Sequence, residues 1–186
     1  MRVIAGEARR LPLTAPSGKD TRPTTDRIKE TLFNIIQDDI PGCTFLDLFS
    51  GSGGIGIEAI SRGAREAVFV EMSRDALKCI EHNIKKTHFE KKSKVMPMEV
   101  TYALSKLGKQ GKTFDVIYAD PPYRKEFEPK ILRVLEESGV LQSDTLIILE
   151  TDIQTEVDYV DESVYEIVRI KDYKTNRHIF LRRCAF

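Results

Sequence analysis

The chain has 186 residues, 41% of them apolar and 31% charged, with a formal net charge of zero. That length suits one full core, and the composition is that of a soluble globular protein rather than a disordered one. It contains no apolar run near the ~20 residues needed to span a bilayer, and Glu7 interrupts the N-terminus too early for a secretion signal, so a cytoplasmic protein is expected.

The first 25 residues differ from the rest. Arg2–Ala5 and Arg10–Leu13 read as short extended pieces around a Gly6 turn, a small β-hairpin appendage, followed by a loop with Pro16, Gly18 and Pro23. From residue 26 a single domain is expected. Its first helix takes Thr24 or Thr25 as N-cap, places Asp26 in the first turn, aligns Ile28, Leu32, Ile35 and Ile36, and stops before Pro41.

Strand and helix signals then alternate. Strands are expected at 44–48, 67–71, 94–97, 114–119 and 145–150, and helices at about 55–62, 74–87, 101–107 and 127–137. Such alternation implies an α/β fold with a mostly parallel sheet. Residues 165–171 and 178–182 read instead as an antiparallel hairpin closing the sheet edge.

Cys43, Cys79 and Cys184 are too scattered for a disulfide or metal framework, and no metal site is expected. His82, His88 and His178 read as surface or interface residues. Charge is unevenly spread. Residues 1–29 hold seven Lys/Arg against three acids, and residues 169–183 hold six against Asp172 alone. Either segment could steer a polyanion or could simply be a solvated face.

Gly51-x-Gly53-x-x-Gly56, after a strand and with Glu71 twenty residues beyond Gly51, matches the dinucleotide fingerprint. An NAD-dependent oxidoreductase is therefore one reading. Charge favours another. No Lys or Arg lies between Thr44 and Ser61, while Asp47 ends the strand. A pyrophosphate would meet an acid there, whereas S-adenosylmethionine carries a sulfonium and an ammonium that an acidic mouth suits. Asp47, Phe49, Gly51, Ser52, Gly53, Glu71 and Met72 are the candidate cofactor residues, with Glu71 placed to accept from ribose hydroxyls.

A further strand runs into Asp120-Pro121-Pro122-Tyr123. In an open α/β sheet the ligand crevice lies beyond the carboxyl ends of the strands, so this segment and the glycine loop face one site. The exocyclic amine of a base is a poor nucleophile because its lone pair is delocalised into the ring. A carboxylate and a backbone carbonyl that accept both N–H bonds let the nitrogen pyramidalise. Asp120 Oδ and the Pro121 carbonyl are the candidate acceptors, Pro122 stiffens the turn, and Tyr123 is the candidate stacking ring.

These motifs resemble the bacterial 16S ribosomal RNA guanine-N2 methyltransferases of the RsmD type. The likeness begins at Arg2-Val3-Ile4-Ala5-Gly6, takes in Thr21–Asn34 with its Arg22-Pro23-Thr24 segment, and continues through Asp47–Ala64 and Val70-Glu71 to Asp120–Tyr123. Arg22-Pro23-Thr24 is the most specific part, since Asp-Pro-Pro-Tyr also occurs in adenine-N6 methyltransferases of RNA and DNA. The resemblance implies a Rossmann-like methyltransferase fold, S-adenosylmethionine as cofactor, and 16S rRNA or a small-subunit ribosomal particle as partner. It implies Arg2, Arg9, Arg10 and Arg22 on the RNA and Thr24 beside the cofactor, with no membrane partner and a monomer as the default. Two departures stand out. Met98-Glu99-Val100 occupies the place where such folds often carry an Asp facing the adenine, leaving Glu99 as either that residue or a solvent-exposed acid. Lys174 follows Lys171-Asp172-Tyr173 where the family commonly has glycine. Adenine-N6 methylation, the oxidoreductase and an idle RNA-binding module are the alternatives.

Overall fold

A computed structural model of the protein describes residues 1–16, 25–122 and 127–184. Seven strands form one sheet in the order β3-β2-β1-β4-β5-β7-β6. The strands β1 (Thr44–Leu48), β2 (Glu66–Glu71), β3 (Ser93–Pro97), β4 (Phe114–Ala119) and β5 (Leu141–Asp152) pair in parallel. β6 (Tyr165–Asp172) and β7 (Asn176–Arg183) form the expected antiparallel hairpin, with β7 against β5.

Five helices, α1 (Asp26–Ile35), α2 (Gly54–Ser61), α3 (Arg74–Thr87), α4 (Val100–Lys109) and α5 (Phe127–Ser138), cover the two faces. Strand alternation explains the division. Phe45, Val116, Tyr118 and Ile148 join one apolar cluster with residues of α1, α2 and α3, while Leu46, Leu48, Ile117, Ala119 and Leu149 join another with α4 and α5. Every residue of β1 is buried, as the central strand of a doubly covered sheet should be.

Local chemistry sets the helix ends. Thr25 caps α1 by accepting from the Ile28 amide at 3.3 Å, and Asp26 fills the first turn. α3 ends at His88, whose φ of 60° closes the helix with a backbone bond to Ile84.

The N-terminal pieces do pair. Val3 donates to Leu11 and Arg10 to Val3, each at 2.9 Å, around one Arg2–Pro12 bridge. This hairpin is not a loose appendage. Val3, Ala8 and Leu13 belong to the same core cluster as α1, α2 and α3. At Gly6, φ is +81° and an added Cβ would lie 1.7 Å from the Ser61 carbonyl oxygen, so the turn rests directly on the end of α2. Among the described residues no helix is long and apolar enough to cross a membrane.

Candidate active site

β1 and β4 are neighbours, but the connections leaving them run to opposite sides of the sheet, and this is where a doubly wound fold opens a crevice. The register pairs Leu48 with Ala119, so the next residues, Phe49 and Asp120, leave the sheet side by side. On β1's other flank Leu48 pairs with Val70, which brings Glu71 to the same rim.

The glycine loop is a tightly bonded turn. Ser50 donates its amide to Val70 at 3.0 Å and its hydroxyl to the Asp47 carbonyl at 2.7 Å, and Gly53 donates back to Ser50 at 2.7 Å. Phe49, Gly51 and Gly53 have φ of 61°, 55° and 77°, a left-handed run that is costly for the phenylalanine and free for the glycines. A Cβ built on Gly51 meets nothing within 4 Å, so the loop faces open space there. Gly56 has a different task. Its Cβ would lie 2.4 Å from Phe69 Cε1, so it lets α2 press against β2.

Asp47 does not line the mouth. It is buried beneath the loop, where Oδ2 accepts from the Gly56 amide at 2.9 Å. Burial, against that hydrogen bond and aided by the charge of Glu71, pushes its carboxyl up to about 7. Glu71 accepts from Gly51 at 2.9 Å and from Met72 and Ser73 at 2.8 Å each. A carboxylate has about four acceptor positions, so three backbone donors leave one for a ligand hydroxyl. Beside it Met72 is 71% exposed, and Tyr102, in the first turn of α4, is 74% exposed.

Glu99 caps α4, accepting from the Thr101 amide at 2.9 Å and from the Thr101 hydroxyl. It is therefore neither a free surface acid nor a side chain turned wholly to a ligand. Ser52 is buried, and its carbonyl accepts from Asn83 Nδ2 at 2.9 Å. Pro121 is buried and Pro122 exposed. Burial and the charges of Glu150 and Asp47 hold the Asp120 carboxyl well above the usual carboxylate range. Tyr123, Thr24 and Arg22 lie outside the described residues.

Arg2 pairs with Asp26 at 3.1 Å, while Arg9 and Arg10 are exposed on the far part of the hairpin. Met1 reaches the glycine loop directly, since a Cβ on Gly54 would lie 2.6 Å from its sulfur.

One histidine reading is overturned. His82 and His88 are exposed, but His178 is fully buried, bonded through Nε2 to Glu150 at 3.0 Å and through Nδ1 to the Tyr173 hydroxyl at 3.3 Å. Its position is β7, and only the long-range pairing of β7 with β5 places it behind Asp120. Phe127, which heads α5, is a second residue not picked out from the sequence, and its ring meets Phe49 edge-on at 6.3 Å.

The site fits a cationic ligand better than an anionic one. The buried Asp47 and the half-buried Asp120 carboxyl groups are both held above their ordinary range, and a positive charge near them would relieve each. A pyrophosphate would add to the unfavourable charge.

A family model described as "Conserved hypothetical protein 95" matches residues 1–182. A Bacillus subtilis protein named "Putative rRNA methyltransferase YlbH" is 38% identical over 157 residues, covering 84% of this chain and 85% of that one. The Escherichia coli K12 "Ribosomal RNA small subunit methyltransferase D" is 33% identical over 154 residues, covering 83% and 76%. The solved structure titled "Putative methyltransferase yhhF from Escherichia coli" superposes with a TM-score of 0.88 at 30% identity, over 100% of this chain and 99% of that one. The chain belongs to the Conserved hypothetical protein 95 family, the RsmD-type methyltransferases that its motifs resemble.

Proposed function

We propose that the protein transfers a methyl group from S-adenosylmethionine to the exocyclic N2 amine of a guanine in 16S ribosomal RNA. The observation that carries this reading is the convergence of Asp120 with the glycine loop, Asp47 and Glu71 at the β1–β4 crevice. The relatives named as ribosomal RNA methyltransferases support the class of reaction and substrate. The choice of N2 of guanine rests on the resemblance of Arg22-Pro23-Thr24.

When bound, the cofactor supplies an electrophilic sulfonium methyl group. The Gly51 turn and Glu71 would hold its ribose end, and Asp47 beneath the loop, once ionised, would favour its cationic end. Asp120 and the Pro121 carbonyl accept from the target amine and aim its lone pair along the line of displacement. Asp120 then takes the proton that the methylated nitrogen must lose. On the sequence, Tyr123 provides the ring that stacks on the base. A paired guanine must leave its stack to reach this position. Arg2, Arg9, Arg10 and Arg22 are assigned to the RNA backbone.

The test is transfer of radiolabelled methyl groups to small-subunit ribosomal particles, followed by nucleoside analysis. Label in N2-methylguanosine, lost in Asp120→Ala, is the expected result. Label in N6-methyladenosine would transfer the same site chemistry to the adenine reading. Thermal stabilisation by NAD and none by S-adenosylmethionine would overturn both.

A further inference from the structure

Behind Asp120 lies a buried polar chain that the methyl-transfer chemistry has not used. The β4–β5 register pairs Ala119 with Leu149, so Asp120 and Glu150 are the next neighbours across two parallel strands. The β5–β7 register pairs Glu150 with His178. Glu150 is 5% exposed and His178 not at all.

Three of the groups that hold the Glu150 carboxylate are donors from the described residues. The Tyr118 hydroxyl donates to Oε2 at 2.5 Å, Asn176 Nδ2 to Oε1 at 2.7 Å, and His178 Nε2 lies 3.0 Å from Oε2. With a proton on Nε2, His178 is free to accept at Nδ1 from the Tyr173 hydroxyl at 3.3 Å. That tautomer matches both the Glu150 carboxylate and the Tyr173 hydroxyl. Lys171 Nζ, 6.0 Å from the Tyr173 ring, is the cation at the outer end of the chain. Among the described residues, the charged groups that bear on Asp120 are Glu150 from β5 and Asp47 from β1.

We propose that Glu150, held by Tyr118, Asn176 and His178, is a positioning residue for Asp120 whose fixed negative charge strengthens Asp120 as acceptor of the proton released on methyl transfer. This rests on the reading of Asp120 as the group that faces the amine. In that step the nitrogen lone pair forms the new N–C bond and the C–S pair leaves with sulfur. The nitrogen, now cationic, releases one of its two protons to Asp120 and becomes a neutral methylamino group. A carboxylate beside Asp120 makes that last transfer downhill, and the same charge balances the cation that develops on the nitrogen.

The experiment is a single-turnover pH profile on ribosomal particles, at saturating S-adenosylmethionine, for the wild type, Glu150→Gln and Tyr118→Phe. Glutamine keeps the size and one acceptor oxygen but removes the charge. Its acidic limb should move about one pH unit lower, with the plateau rate reduced about tenfold. Tyr118→Phe removes one donor from Glu150, makes that carboxylate easier to protonate, and should move the limb the same way by less. It also carries the test if Glu150→Gln does not fold. The KM for the cofactor should stay within about twofold in both, since neither residue touches it. A limb that stays in place in the variants that fold, or a rate loss uniform across pH, overturns the proposal. Full transfer by Asp120→Ala would instead overturn the reading of Asp120 itself, so the two failures are distinct.

Discussion

Lys29 and Glu58 form an ion pair of 3.1 Å with both side chains fully withdrawn from solvent, joining α1 to α2. The two partners are not equally supported. Glu58 also accepts from the Ile4 amide at 2.8 Å, the Ala5 amide at 3.0 Å and Arg62 Nε at 2.8 Å, whereas Lys29 has besides it the Arg2 carbonyl at 2.6 Å. Burial lowers the Lys29 ammonium from its ordinary range, and the charge of Glu58 opposes that.

Removing the carboxylate should therefore cost more than removing the ammonium. Glu58→Ala leaves a buried cation and two unpaired amides, a loss of about 3–5 kcal/mol. Lys29→Met leaves Glu58 with three donors and should cost about 1–2 kcal/mol. Urea unfolding measures both. A larger loss for Lys29→Met would show that the pair, and not the Glu58 hub, holds the N-terminal hairpin.

Asn83 links the N-terminal segment to the glycine loop. It is fully buried, accepts from the Thr14 amide at 2.8 Å, and donates from Nδ2 to the Thr14 carbonyl at 2.8 Å and the Ser52 carbonyl at 2.9 Å. Asn83→Ala frees all three groups at once. The expected outcome is a loss of about 1–3 kcal/mol in stability, with weaker S-adenosylmethionine binding by calorimetry and faster proteolysis near Thr14. Unchanged affinity in a folded variant would show that the loop keeps its shape without this tie.

Gly54 and Gly56 separate flexible from rigid contacts within one helical turn. A Cβ at Gly54 meets the Met1 sulfur, the end of a flexible side chain, but at Gly56 it meets the Phe69 ring at 2.4 Å. Gly56→Ala should destabilise by about 1–3 kcal/mol through overpacking, while Gly54→Ala should be nearly neutral after Met1 moves. Thermal melts of the two variants decide it, and equal losses would count against the packing role of Gly56.

The sheet was largely legible because its strands are short apolar runs closed by acids and its helices carry clear 3.6-residue spacing. β1, α3 and β4 fall at the expected residues. β5 begins at Leu141, not at residue 145, because Gln142-Ser143-Asp144 is polar and extends a strand only through its neighbours. Lys29 shows the same limit, since a lysine on an amphipathic helix reads as solvated until Glu58 arrives from 29 residues away. The loop residues and Asp120 were legible from local motifs. The Glu150–His178 pair was not, since it depends on β7 returning antiparallel to β5. Likewise Glu71 was expected to face a ribose, yet most of its acceptor capacity is spent on the backbone of its own turn.

Asp47 makes stability and ligand binding depend on pH in opposite directions. Its carboxyl is pushed up from 3.8 to about 7 on folding, chiefly by burial. Between those values the folded state binds the extra proton, so this group's contribution is fully present below pH 3.8 and is lost as pH rises through about 7. A cation bound above the loop favours the ionised form and expels that proton. S-adenosylmethionine should therefore bind more tightly as pH rises towards 8, with proton release that calorimetry detects in buffers of different ionisation enthalpy. In Asp47→Asn the stability slope from this group and its share of the released protons should disappear, and affinity at high pH should fall about tenfold as the anionic partner is lost. An affinity in the wild type that does not change between pH 5.5 and pH 8 would show that Asp47 keeps one protonation state with and without ligand.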